Sequence, residues 1–306
     1  MRGVVRRGMK TAMPAKNNRP RRSVLYVPAT NAKALAKIPA LACDAVIVDL
    51  EDAVAPEAKQ AARDGLKAAF AGLPRTVERV IRINALSGEW GNDDLALAAS
   101  LEPDAILLPK VDTARDILEA GDALDEADTP EETALWIMVE TPRALLNLGA
   151  IAELGRDRSA RLSCLVAGTN DLIKDTGVLG RSHLTPWLMQ MVLAARAGGL
   201  DCVDGVSNDF SDLDAFAREC AEGAAMGFDG KTLIHPAQIE PANTAFSPSA
   251  SAIAEAQNIV AAFAQSDNAG RGVIALDGKM VERLHLAQSE RLLAKAARPA
   301  NSSSKE

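Results

Sequence analysis

Eight short apolar runs recur along the chain, at residues 23–29, 45–51, 79–85, 105–111, 135–141, 164–168, 202–206 and 230–235, and most are continuous rather than alternating. A strand apolar at consecutive positions must be covered on both faces, as in a parallel sheet enclosed by helices. Ala- and Leu-rich stretches of helical spacing, such as 56–71 and 213–226, lie between the runs. The repeat is roughly 25–35 residues, the size of a βα unit. Eight such units in 306 residues predict an α/β fold, a (β/α)8 TIM barrel over residues 22–247. A doubly wound open sheet is the competing arrangement, but no Gly-x-Gly-x-x-Gly follows any run. Aromatic residues make up only 3 % of the chain, so Ala, Leu, Val and Ile must fill the core.

The barrel does not use the whole chain. Residues 248–297 read as a C-terminal extension: a helix over 249–265, a Gly-containing linker at 268–272, a short segment at 273–280 and a last helix over 281–297. It exceeds what closing a barrel requires and is expected to pack on a neighbouring subunit or cover the site. Residues 1–21 are basic and acid-free and read as a disordered tail, with a mitochondrial-type presequence as the alternative. Residues 298–306 are small and polar and read as a second tail. The expected compartment is the cytoplasm, or the mitochondrial matrix if the N-terminus is a presequence.

Charge and cysteine content exclude several classes. The formal net charge is −7, and residues 1–22 hold eight Lys/Arg, so the rest of the chain carries about −15. Such a body argues against nucleic-acid partners and suits a site that gathers carboxylates around a cation. Cys43, Cys164, Cys202 and Cys220 form no CxxC pair and read as reduced, buried thiols. No apolar stretch reaches the ~20 residues needed to span a bilayer.

In a barrel, chemistry sits at the C-terminal strand ends. Those ends carry Asp49, Glu51 and Asp52, then Arg82 and Asn84, Lys110, Glu140, Asn170 and Asp171, and Asp204. Ionised groups there are costly unless paired or bound to a metal. The set offers oxygen donors and no His or Cys cluster, which favours a hard cation such as Mg2+ over zinc. Glu140 and Asp171 come from adjacent strands and are the expected metal ligands, leaving positions for substrate oxygens and water. Arg82 offers a planar fork for a carboxylate or a developing oxyanion. His183, His235 and His285 read as structural, and no Gly-x-Ser-x-Gly elbow supports a nucleophilic triad.

The segments RRSVLYVPATN (21–31), AVIVDLEDAV (45–54), RVIRINALSGEWGNDDL (79–95), AILLPKV (105–111), VETPRAL (139–145), VAGTNDL (166–172), GFDGKTLIHPAQI (227–239) and ALDGKMVERLHLAQSERLL (275–293) resemble the citrate lyase β-subunit-like acyl-CoA lyases. These include the malyl-CoA and citramalyl-CoA lyases, within the wider hydroxy-keto-acid aldolase group. The resemblance covers about residues 21–296. It implies a TIM barrel and Mg2+-dependent, reversible carbon–carbon cleavage of a 3-hydroxyacyl-CoA to an acyl-CoA and a 2-keto acid. It implies Glu140 and Asp171 as metal ligands, Arg82 as the residue that holds the keto acid, Glu51 and Asp52 as acids on the ion's waters, and Lys110 as the orienter of the carboxylates. It places Gly168, Lys231, His235 and Pro236 in the substrate- and CoA-binding set, with Arg22 on CoA phosphates. It also implies a homo-oligomer, trimer or hexamer.

The pattern departs at Glu282. Many relatives have Asp there, completing a neighbouring subunit's site; this chain reads Lys-Met-Val-Glu, with Asp277 nearby as a second carboxylate. Glu keeps the acid but moves it by about one methylene, which leaves the acyl group and the outcome open. Alternatives on the same scaffold are a malyl-CoA thioesterase and a CoA-independent aldolase. An alternative of another class is a subunit active only with an acyl-carrier partner.

Overall fold

The computed structural model describes residues 19–268 and 270–297. In chain order the elements are β1 Ser23–Pro28, α1 Ala32–Leu35, β2 Ala45–Asp49, α2 Lys59–Ala71, β3 Glu78–Arg82, α3 Gly91–Ala99, β4 Ala105–Leu108, α4 Ala114–Glu126, β5 Ala134–Val139 and α5 Pro142–Glu153. They continue with β6 Leu162–Ala167, α6 Thr169–Thr176, α7 Thr185–Gly198, β7 Asp201–Asp204, α8 Leu213–Met226, β8 Gly230–Leu233, α9 Ile239–Ala245 and α10 Ala250–Ala264. Each strand pairs in parallel with the next, and β8 pairs with β1 to close an eight-stranded barrel. The eight expected strands are all present.

Alternation across each strand explains the continuous apolar runs. Val24, Ile47, Val80, Leu107, Trp136 and Val166 fill the barrel interior. Their chain neighbours Val46, Ile81, Ile106, Ile137 and Leu165 pack under the helices. Both faces are therefore buried, as parallel sheets require. All four cysteines are buried and none forms a disulfide. Among the described residues no helix is long and apolar enough to cross a membrane.

The floor of the barrel is an ion cluster. Arg21 donates to both oxygens of Glu78 at 2.8 and 2.7 Å and to Asp201 at 2.9 Å. Its guanidinium lies 4.6 Å from the centre of the Trp136 ring. The expected basic tail therefore ends earlier than residue 21: Arg21 is buried structure. Residues 1–18 of that tail, and the tail at 298–306, lie outside the described residues.

The C-terminal extension differs from the expected helix–linker–helix. Two antiparallel strands, β9 Val273–Leu276 and β10 Lys279–Glu282, stand between α10 and the last helix, α11 Arg283–Ala296. Asp277 and Gly278 turn the hairpin with φ of 51° and 75°. This is the Asp-Gly pattern of a tight two-residue turn, whose backbone twist matches the strands. The sequence VIALDGKMVE carries that signal.

Candidate active site

The mouth is built from strand ends that follow one another around the barrel. Asp49 and Arg82 are register partners on β2 and β3. Arg82 Nε donates to Asp49 Oδ1 at 2.7 Å, a second guanidinium nitrogen takes the other oxygen, and Nη1 lies 3.0 Å from Glu51 Oε2. Asp52 is exposed and only reaches 4.0 Å from Arg82. The guanidinium also lies 4.8 Å from the Tyr26 ring centre. One side of the mouth is thus a buried arginine shared among carboxylates.

The other side holds Glu140 and Asp171. Glu140 follows β5, fully buried; Asp171 sits in the first turn of α6. Lys110 links them: Nζ lies 2.8 Å from Asp171 Oδ2 and 3.4 Å from Glu140 Oε1. Its backbone N–H donates to the same Glu140 oxygen at 2.7 Å. Lys110 achieves this with a left-handed φ of 52°, a conformation that costs a non-glycine residue about 1–3 kcal/mol. Lys174 donates to Asp171 Oδ1 at 2.7 Å.

The electrostatics divide the carboxylates. Burial pushes Glu51 up to about 7 against the pull of Arg82. Burial also raises Glu140, with Lys110 opposing. Burial would raise Asp171 too, but hydrogen bonds from Lys110 and Lys174 bring it below the usual range. The donor set fits a hard cation. Glu140 Oε2 is buried without a hydrogen-bond partner, and the neighbouring groups are oxygens and an ammonium rather than imidazole or thiolate. Among the described residues no group of three or more His, Cys, Asp or Glu could hold a metal. Two protein carboxylates would leave an open coordination sphere.

Gly168 has a steric role beside this pair. A Cβ there would stand 2.2 Å from Glu140 Cβ and 2.7 Å from Oε2. Gly168→Ala is therefore expected to displace Glu140 and to weaken cation binding about 10–100-fold, as loss of an outer support does. Calorimetric titration with Mg2+ checks this; unchanged affinity would mean that the backbone absorbs the methyl group.

Several sequence expectations are corrected by strand parity and direction. Arg22 precedes β1, at the floor of the barrel and away from the mouth. It is bidentate on Asp44 (2.8 Å each) and donates to Ser247 at 2.9 Å. It is thus committed at the wrong end for CoA phosphates. Lys231 and Asp204 point outward, under α8, and neither side chain has exposed surface. Lys231 donates to Asp204 at 2.8 Å, so it is no substrate contact and Asp204 is no mouth acid. His235 and Pro236 do lie beyond the C-terminal end of β8, with His235 stacked 4.9 Å from Phe210. Glu282 caps α11 with its side chain, and its N–H donates to His285 Nδ1 at 2.9 Å. Among the described residues no hydrogen bond or ion pair joins it to the mouth of its own chain. Asp277 is the tip of the hairpin.

Sequence reasoning singled out neither of two supporting residues. Lys59, at the start of α2, donates to the carbonyls of Leu50 and Glu51 (2.8 Å each) and to Asn84 at 2.7 Å, fixing the loop that carries Glu51. Asp94 is fully buried and accepts from Asn84 and Arg63. Lys59 lies in a stretch of ordinary helical spacing, and Asp94 lies in the segment 79–95, of which only Arg82 and Asn84 stand at a strand end.

Comparison with known proteins agrees with this fold. The family model described as HpcH/HpaI aldolase/citrate lyase matches residues 22–236. A protein from Cereibacter sphaeroides named (3S)-malyl-CoA thioesterase is 45 % identical over 282 residues, 90 % of this chain and 95 % of that protein. The mitochondrial citramalyl-CoA lyase of Rattus norvegicus is 33 % identical over 288 residues, 90 % of this chain and 85 % of the lyase. The crystal structure of CitE from Mycobacterium tuberculosis, in complex with magnesium, acetoacetate and coenzyme A, superposes with a TM-score of 0.72 at 30 % identity, covering 90 % of this chain and 97 % of CitE. The matched region takes in every barrel strand and the mouth residues Glu51, Arg82, Lys110, Glu140 and Asp171, so the chain belongs to the HpcH/HpaI aldolase/citrate lyase family and is an enzyme of its carbon–carbon lyase class.

Proposed function

We propose that the chain holds Mg2+ on Glu140 and Asp171 and cleaves the C2–C3 bond of a malyl-CoA-type 3-hydroxyacyl-CoA, releasing an acyl-CoA and a 2-keto acid. The observation that carries this reading is the buried Glu140 joined through half-buried Lys110 to Asp171, facing the Arg82 guanidinium across one mouth. Magnesium and a keto acid in the CitE complex support it. When bound, the cation supplies Lewis acidity toward the hydroxyl and carboxylate oxygens of the substrate's acid end.

The chain's own residues do the rest. Arg82, oriented by Asp49, holds the acid end and offsets charge developing on oxygen. Glu51, a buried carboxyl at about 7, is matched to take the hydroxyl proton near neutral pH. The O–H electrons become the keto C=O, and the C2–C3 pair passes to the thioester enolate. That carbon then takes a proton, which we assign to Glu282 of a second copy in a homo-oligomer. His235, Pro236 and Phe210 form the rim at which the CoA chain would enter.

A second reading has its own support. The relatives at 45–46 % identity are named for thioester hydrolysis of (3S)-malyl-CoA, above the lyases at 30–33 %. Hydrolysis would use the same acid-end site but deliver water to the thioester carbon. A product assay with (3S)-malyl-CoA and Mg2+ separates the two. Lysis gives glyoxylate and acetyl-CoA in equal amounts; hydrolysis gives malate and free CoA with no glyoxylate. Malate and CoA alone would sink the first reading.

A further inference from the structure

Asp204 and Lys231 are fully buried, yet they lie outside the barrel wall and away from the mouth. Lys231 Nζ meets Asp204 Oδ2 at 2.8 Å and Glu219 Oε1, from α8, at 2.7 Å. Arg181, in the connection between α6 and α7, lays two nitrogens on the Asp204 carboxylate at 2.9 and 2.7 Å. Two charges removed from water, with Arg181 and Glu219 half-buried beside them, are weak evidence of stabilisation, because desolvation offsets most of their attraction. Their placement has a clearer consequence.

The network grips α6 from both ends. Asp204 Oδ1 accepts from the Gly205 N–H at 2.8 Å, and Lys231 Nζ donates to the Gly205 carbonyl. The Gly205 peptide is thus clamped on both sides. It forms the floor under Thr169: a Cβ on Gly205 would stand 2.6 Å from Thr169 Oγ1 and Cγ2. Thr169 opens α6, two residues before Asp171. At the far end, the chain leaves α6 through Gly177 and Gly180, at φ of 73° and 116°, with no atom within 4 Å of either Cβ position. Arg181 on Asp204 is the anchor that follows this loosely packed stretch. Between the ends, Asn170 and Asn208 exchange side-chain hydrogen bonds at 3.2 and 2.9 Å.

We propose that the Arg181–Asp204–Lys231–Glu219 network is a positioning device for the cation site, setting the place of Asp171 through helix α6. This rests on the reading of Asp171 as a cation ligand. Arg181 is a positioning residue: it touches neither substrate nor cation, and its effect reaches the mouth through Asp204, Gly205 and Thr169. Outer supports of this kind change metal affinity about 10–100-fold when removed.

The test is Mn2+ binding to the full-length protein, read from the loss of the free Mn2+ electron paramagnetic resonance signal. Mn2+ takes the same oxygen ligands as Mg2+. Arg181→Gln is expected to weaken Mn2+ binding about 10–100-fold, and Arg181→Lys, which keeps the charge but loses the fork, to recover part of it. Arg161→Gln is the control for general destabilisation. Arg161 bridges Asp125 and the Pro130 carbonyl near the start of β5, so this variant should lower the melting temperature and leave Mn2+ affinity unchanged. If Arg181→Gln does not fold, Glu219→Gln, at a half-buried position of the network, is measured in its place and should weaken binding in the same direction. Unchanged affinity in a folded network variant overturns the proposal. Wild-type affinity in Asp171→Asn would instead remove Asp171 from the cation site, and the proposal with it.

Discussion

Glu140→Ala and Asp171→Ala are each expected to lower Mg2+-dependent kcat/KM on malyl-CoA about 10³-fold, the scale of several kcal/mol that a bound cation contributes to charge stabilisation. The two losses should differ in their effect on the fold. Glu140 is fully buried and its carboxyl is raised by that burial, so the ionised group costs folding energy in the absence of a cation. Its removal should leave the melting temperature of the cation-free protein unchanged or higher. Asp171 is favourably paired with Lys110 and Lys174, and its carboxyl lies below the usual range. Its removal should lower stability modestly, since Lys174 is largely exposed and screened by solvent. Steady-state kinetics and thermal unfolding on the same preparations check both. Turnover that survives either substitution would take that carboxylate out of the cation's coordination. A collapse of the fold in Glu140→Ala would show that it is structural.

The architecture was legible because the runs are apolar on both faces and evenly spaced, which few folds other than a closed parallel barrel satisfy. Residues just past a strand end were legible too. Lys110, Glu140 and Asp171 leave the barrel where it opens, so their position in the run places them at the mouth. Within strands the reading failed for the same reason that the fold was readable. With both faces buried there is no polar alternation to mark which side points inward. Asp204 therefore looked like a mouth residue, and the resemblance set Lys231 beside the CoA, although the β7–β8 register turns both toward α8. Arg22 was misplaced by direction rather than parity, since it stands before its strand. The Arg21–Glu78–Asp201 floor joins residues up to 180 positions apart, and no local pattern encodes such a meeting. The hairpin turned by Asp277 and Gly278 did carry a local signal, in Asp-Gly flanked by apolar residues.

Arg82→Met should cost both stability and turnover, and the two losses are separable. Asp49 is fully buried and takes two guanidinium hydrogen bonds, while Glu51 faces the third nitrogen. Removing the cation leaves a buried carboxylate without its partner, a change that costs about 3–5 kcal/mol. Turnover should fall as well, because the acid end of the substrate loses the positive charge and the one guanidinium nitrogen that faces the mouth. Arg82→Lys would keep a charge, but one ammonium cannot serve both Asp49 oxygens and Glu51 together. The double variant Asp49→Asn/Arg82→Met removes the stranded charge along with its partner. It should regain most of the lost stability in urea unfolding and none of the lost kcat/KM. If it also regained turnover, Arg82 would act only by neutralising Asp49, and the keto acid would have to be held elsewhere. If it regained neither, the deficit would lie in packing against Tyr26, whose ring lies 4.8 Å from the guanidinium. The predicted split follows from a single geometric fact: Arg82 spends two nitrogens on the fold and turns the third toward the mouth.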